Sequence, residues 1–191
     1  MKKSLGARTY LYPNPALLVG SYDENEVPNI MTVAWGGIAC SDPPALSVSI
    51  RKSRYTFDNI TRRRAFTVNI PSVEYVGETH YCGVISGRDE NKFETLGLTA
   101  VRSELADAPY VRECPVNLIC GLLDVVEVGS HVMFIGEILD VLSEECFLTD
   151  KGQLSIGKIR PILYDYPGAS YHAIGDLALE ARKFDVNKYK K

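Results

Sequence analysis

The chain has 191 residues, 46% apolar and 24% charged, with a formal net charge of -3. A chain of this length buries roughly 70% of the surface its unfolded form exposes, so it needs no disulfide staples, and its acidic balance argues against a general nucleic-acid-binding surface. Five cysteines, odd in number and with no C-x-x-C pair, read as reduced thiols of a cytoplasmic protein.

The N-terminus, Met1 to Gly6, has no apolar core and is no secretory signal. No apolar run is long enough to span a bilayer. His80 and Cys82 lack further ligands at metal-binding spacing, so no metal is expected.

Ala16 to Gly20 reads as a strand, Tyr22 to Pro28 as a polar turn, and Asn29 to Trp35 as a second strand ended by Gly36-Gly37. Two such runs across a short polar loop predict a hairpin. After Pro43-Pro44, residues 45–50 alternate cleanly. Leu46, Val48 and Ile50 face one side, and Ser47 and Ser49 the other. Arg51-Lys52-Ser53-Arg54-Tyr55-Thr56 follows, with Ser53 as predicted cap of a helix reaching about Arg63. Ala65 to Ile70 is a further alternating strand. Ser72 is the predicted cap of a second helix carrying Val73, Val76 and His80 at helical spacing.

Ser86 to Asn91 is a polar loop leading into Lys92 and Phe93. Pro115 to Val128 and His131 to Leu142 are long strands joined by Gly129-Ser130, good chemistry for a type II′ hairpin turn. Asp150-Lys151-Gly152 marks another turn, and Leu154 and Ile156 read as strand. The tail from Glu180 is charged, either a short helix or frayed. Hairpin-linked strands with few helices predict a mostly β, antiparallel barrel with helices outside it.

Several motifs are missing. No G-x-G-x-x-G follows a strand, and no G-x-S-x-G occurs. Gly152 to Lys158 approaches a P-loop, but Ile159 replaces the magnesium-binding hydroxyl and Pro161 forbids the helix that should follow.

The stretch from Arg51 to Thr56 sits where a polar-faced strand turns into a helix. Free amides and the helix dipole favour an anion at such a start. Arg51, Lys52 and Arg54 add charge, and Ser53 and Thr56 add hydroxyls. A phosphomonoester suits this set; so does a reading as a solvated basic turn, and the residues alone leave both open. Arg62-Arg63-Arg64 reads as dipole complementation and solvation at the helix end. Asn29 to Trp35 mixes apolar packing with hydrogen-bonding groups, the mixture a flat heteroaromatic ring needs.

Several pieces in order resemble the FMN-binding split-barrel family of flavin reductases, and most closely its flavoredoxin-like branch. They are residues 28–35, 43–51, Arg54-Tyr55-Thr56, Phe66 to Asn69, Ser86-Gly87 with Lys92-Phe93, His131 to Glu137, Tyr164, and Tyr171 to Gly175. The resemblance implies a six-stranded Greek-key barrel, a homodimer, and FMN in a groove near the interface, within a single domain over residues 1–191. Its core spans about 10–175 and its charged tail 176–191.

It implies that Asn29, Met31, Thr32 and Trp35 line the ring or its edge, met by Ser49, Ile50 and Arg51 from the neighbouring strand. Arg54 and Thr56 grip the phosphate, and Ser86, Gly87 and Lys92 clasp the same end. His131, Tyr164 and Tyr171 lie near the ring or the electron donor. His131 also reads as an ordinary strand-end histidine bonded to backbone.

Many relatives carry Gly-Asp-His where this chain has Gly129-Ser130-His131, which weakens the case for NAD(P)H as donor. The leading expectation is an electron carrier or reductase with noncovalent FMN and a redox protein partner or NAD(P)H as donor. Two alternatives are an NAD(P)H:flavin oxidoreductase feeding a monooxygenase and, in another class, a non-catalytic haem- or ligand-binding barrel.

Overall fold

Alternating apolar residues make strands whose inner face must be covered, and here most of them join one sheet. The computed structural model describes residues 1–179. In chain order the strands are β1 (Asn14–Pro15), β2 (Leu17–Tyr22), β3 (Pro28–Val33), β4 (Gly36–Ser41), β5 (Pro44–Ile50), β6 (Ala65–Ile70), β7 (Ala100–Arg102), β8 (Pro109–Val111), β9 (Val116–Val128), β10 (His131–Ser143), β11 (Ile162–Asp165) and β12 (Ser170–Ala173). The helices are α1 (Tyr55–Arg63), α2 (Val76–Val84), α3 (Lys92–Leu96) and α4 (Ile156–Ile159).

The main sheet runs β3-β2-β6-β9-β10-β5-β4 with antiparallel pairing throughout. The mostly β, antiparallel class matches expectation. The main sheet carries seven strands where six were expected, because Gly36-Gly37 does not end the second strand's run. It opens β4, which pairs back onto β5 and is exposed almost throughout. A pleat break at two glycines hides such an edge strand, since neither supplies a side chain to set the alternation.

Val19, Met31, Val48, Ile50, Phe66, Val68, Val132 and Phe134 fill the interior, closed by Ile60 of α1. Phe57 of α1 sets its ring 5.6 Å from that of Phe134. A second cluster of Leu18, Ile30, Cys82, Phe93, Val111 and Cys114 fixes α2 and α3 against the outer face of β2 and β3. Those two strands are therefore buried on both sides, which explains their nearly continuous apolar runs.

Some local expectations change. Arg54, not Ser53, is the N-cap of α1, and it makes no side-chain capping bond. Ser72 starts a 3₁₀ turn (Val73–Tyr75), and α2 begins only at Val76. Arg63 is not a solvated charge at a helix end. Its guanidinium donates to the Asp23 backbone carbonyl and pairs with Asp107 at 2.9 Å, with 16% of the side chain exposed.

Leu154 does bridge to Leu148, but Ile156 enters the short helix α4 instead of a strand. The turn between β9 and β10 has Gly129 at φ 53, the positive value a type II′ turn requires at its first central position. The expectation for the tail from Glu180 onward lies outside the described residues.

Both ends of the fold meet in a separate three-stranded sheet, β1-β11-β12. Asn14 registers with Tyr164, and Tyr164 with Tyr171. This small sheet carries two tyrosines to the end of the barrel where β3, β5 and β10 present their polar faces.

Candidate functional site

Two connected hollows occupy that end. The larger, about 270 Å³, is lined by Met31, Thr32 and Trp35 after β3, by Ser49, Ile50 and Arg51 at the end of β5, and by His131, Tyr164 and Tyr171. The smaller, about 150 Å³, is lined by Asn29, Ser53, Tyr55, Thr56, Ile85, Ser86, Gly87 and Lys92. Met31 and Arg54 border both, so the two form one bent slot. Every residue that the resemblance assigned to the cofactor lies on one of these hollows; Lys52, counted with the basic turn from sequence, does not, and pairs with Glu127 at 2.8 Å instead.

The smaller hollow is a pole of positive charge. Lys92 is only 2% exposed, and its ammonium reaches just two backbone carbonyls, Ile85 at 3.3 Å and Cys82 at 3.5 Å. Burial, with the nearby charge of Arg54 adding to it, pulls Lys92 down to about 8. Among the described residues, Arg51, Arg54 and Lys92 form no ion pair. A buried lysine beside an unpaired arginine is a costly arrangement unless an anion completes it.

Hydrogen bonds order the same hollow. The Asn29 side-chain amide donates to the Thr56 hydroxyl at 2.9 Å. Asn29 Oδ1 is buried with no donor. Gly87 permits the close approach of loop 86–91: a Cβ there would sit 2.1 Å from Asn29 Oδ1 and 2.9 Å from Tyr55 Cδ1.

The larger hollow is more aromatic. The Tyr164 and Tyr171 ring centroids are 5.1 Å apart, and Trp35 meets Tyr166 edge-on at 5.2 Å. Burial, reinforced by Tyr164, raises Tyr171, so its hydroxyl stays protonated at neutral pH. It lies 3.4 Å from His80 Nδ1. The Thr32 hydroxyl is already engaged by the Thr79 carbonyl.

His131 opens β10, and its Nδ1 lies 2.9 Å from the Ser130 hydroxyl rather than on a backbone group. Burial first, and the charge of Arg51 second, hold His131 below the ordinary histidine value, which favours the neutral ring at pH 7. Arg51 borders the ring-sized hollow and Lys92 the phosphate-sized one, so the two charges serve opposite ends of the slot.

Sequence reasoning missed His80, Gly83, Val84 and Tyr166, which also line the larger hollow. The spacing of Val73, Val76 and His80 suggested one helix face. The 3₁₀ turn before Val76 rotates that face, so Thr79 and Cys82 are buried and His80 turns to the cleft. The 3₁₀ start leaves no mark in apolar spacing, whereas the glycine at position 83, inside a helix, was a usable signal of close approach.

Residues 9–167 match the family model described as "Flavin reductase like domain". The fold superposes on flavoredoxin of Desulfovibrio vulgaris (Miyazaki F) with a TM-score of 0.91 and 48% identity, covering 96% of this chain and 98% of that one. Flavoredoxin from Methanosarcina acetivorans gives a TM-score of 0.91 at 33% identity, covering 98% of each chain. An uncharacterized protein of Archaeoglobus fulgidus is 38% identical over 76% of this chain and 81% of its own length. With the family model spanning most of the chain and the split-barrel architecture reproduced, the chain belongs to the flavin reductase-like family, whose members have a flavin-related redox role.

Proposed function

We propose that this protein binds FMN noncovalently in the bent slot and passes electrons through it to or from a partner. The observation that carries this reading is the pairing of an aromatic, ring-sized hollow with a buried, unbalanced cationic one, the two joined at Met31 and Arg54. The donor set suits a terminal phosphate: Lys92 and Arg54 supply charge, and Thr56 and Ser86 supply hydroxyls. The orphan acceptor Asn29 Oδ1 suits a hydroxyl of the chain linking phosphate to ring.

Bound there, the cofactor supplies reversible one- and two-electron chemistry, and the protein supplies binding, orientation and charge. Arg51 and Arg54 bring positive charge to the larger hollow, which favours an electron-rich ring. His131, neutral at pH 7, adds a hydrogen-bonding group at the rim without adding charge.

A homodimer belongs to the same reading. The β9–β10 hairpin leaves Leu123, Val125, Val128, Leu139 and Val141 exposed, apolar surface that a second copy would cover. The five free thiols support a reducing, cytoplasmic setting, and the whole chain is read as one domain. Among the described residues no helix is long and apolar enough to cross a membrane.

The test is the absorbance spectrum of the purified protein, with mass spectrometry of the released cofactor. The expected result is an oxidised-flavin spectrum and the mass of FMN. Protein that stays colourless after soaking in excess FMN overturns the proposal, and a Soret band reassigns the slot to haem. Oxidation of NADH or NADPH with added FMN, compared with a protein-free control, separates an exchanging reductase from a resident-cofactor carrier.

A further inference from the structure

We infer that Arg88 is the gate that makes the phosphate hollow selective for a flavin monophosphate over a flavin carrying a pyrophosphate and a second nucleoside. The inference rests on the FMN reading above and deepens it. Arg88 follows Gly87 on one wall of the smaller hollow and reaches across to the opposite wall. There Nη1 donates to the Ser53 carbonyl at 3.0 Å and Nη2 to the Asp58 carboxylate at 2.6 Å. Its guanidinium lies 5.1 Å over the Tyr55 ring. Its own amide donates to the Ser86 hydroxyl at 3.2 Å. One side chain therefore ties Ser53 and Tyr55 to Ser86 and Gly87, four of the residues that line the hollow.

What lies inside and outside this strap differs in size and charge. Inside are Lys92, Arg54 and Thr56, in about 150 Å³. That is room for a phosphate and the end of its linker, and well below the roughly 300 Å³ at which pockets for drug-sized groups begin. Outside, the surface bordered by Tyr55 carries Glu24, paired with Arg62, and Asp58, whose partner is Arg88 itself. A second phosphate would have to displace Arg88 and would then face the uncovered Asp58 carboxylate. The strap is held by a half-exposed ion pair, with 44% of the Arg88 side chain and 48% of that of Asp58 accessible, so it can be opened without uncovering the core.

Fluorescence titration of cofactor-free protein with FMN and with FAD tests the gate in wild type, Arg88→Ala and Asp58→Asn. Asp58→Asn loosens the strap from the far side and stands in should Arg88→Ala misfold. The expected result is strong preference for FMN in the wild type. Both variants then narrow the FMN-to-FAD affinity ratio at least tenfold by gaining FAD, with FMN affinity held within about threefold. An unchanged ratio, or a variant that loses FMN and FAD alike, overturns the gate while leaving the FMN reading intact. A wild type that binds neither flavin overturns that reading and the gate with it.

Discussion

The Asn29 side-chain amide donates to the Thr56 hydroxyl at 2.9 Å, joining the buried start of β3 to the first turn of α1. Because Thr56 accepts this bond, its own proton is free for an acceptor in the hollow. Thr56→Val keeps the shape and deletes that donor. Hydrogen bonds to charged groups contribute about 1.5–3 kcal/mol, so FMN affinity should fall roughly 10- to 100-fold. Titration of cofactor-free Thr56→Val by flavin fluorescence checks this, and riboflavin, which lacks the phosphate, should bind both proteins alike.

Lys92 sits at about 8, well below the 10.5 of a free lysine. The sign follows from which state holds the proton. Between about 8 and 10.5 the unfolded chain still binds it and the folded, cofactor-free protein does not, so this group adds stability as pH rises through that window. Below 8 both states are protonated and its contribution is flat. Urea midpoints at pH 7.5 and 10 should therefore differ between wild type and Lys92→Met, with the wild type gaining relative to the variant at pH 10. A bound phosphate favours the charged amine, so FMN affinity should weaken as pH rises through about 8 in the wild type and stay level in Lys92→Met.

His131 should titrate in an NMR experiment with a midpoint below 6.5, because burial and Arg51 both disfavour its charged form. Removing the charge with Arg51→Ala should move the midpoint back toward 6.5. Burial is the larger cause, so recovery should be partial. A midpoint unaffected by Arg51→Ala would mean that the two side chains do not feel each other across the cleft rim.

The exposed apolar residues of β9 and β10 predict self-association. Leu139 is 42% exposed and Val141 44%, both on the long hairpin away from the slot. The double variant Leu139→Lys with Val141→Lys should convert a dimer to a monomer in light scattering. Its cofactor-free fold should keep its circular dichroism, since neither side chain belongs to the buried core.

The antiparallel β class and most of the slot were legible because period-2 alternation and charge clustering are local properties of the chain. Ser47 and Ser49 opposite Leu46, Val48 and Ile50 announced the polar face of β5, and Arg54 with Thr56 announced the basic turn that borders the hollows. The strand β4 was hidden because Gly36 and Gly37 erase alternation at its start and its remaining residues face solvent. Arg63 was misread because its partners, Asp23 and Asp107, are 40 and 44 residues away, and only the tertiary fold brings them to a helix end. Tyr166 escaped for the same reason, since its ring meets Trp35 from far along the chain, whereas His80 escaped because the 3₁₀ start of α2 turns the helix face.

The sheet formed by β1, β11 and β12 draws the beginning and the close of the described chain onto the same side of the cleft. Tyr164 and Tyr171 reach the slot only after Ser170–Ala173 has paired with Ile162–Asp165. During synthesis the barrel strands through Ser143 emerge first, and the hollow stays open on one side until the last hairpin leaves the ribosome. On the FMN reading, enclosure of the cofactor would thereby come late in biogenesis, and a chain cut before that hairpin would hold it loosely.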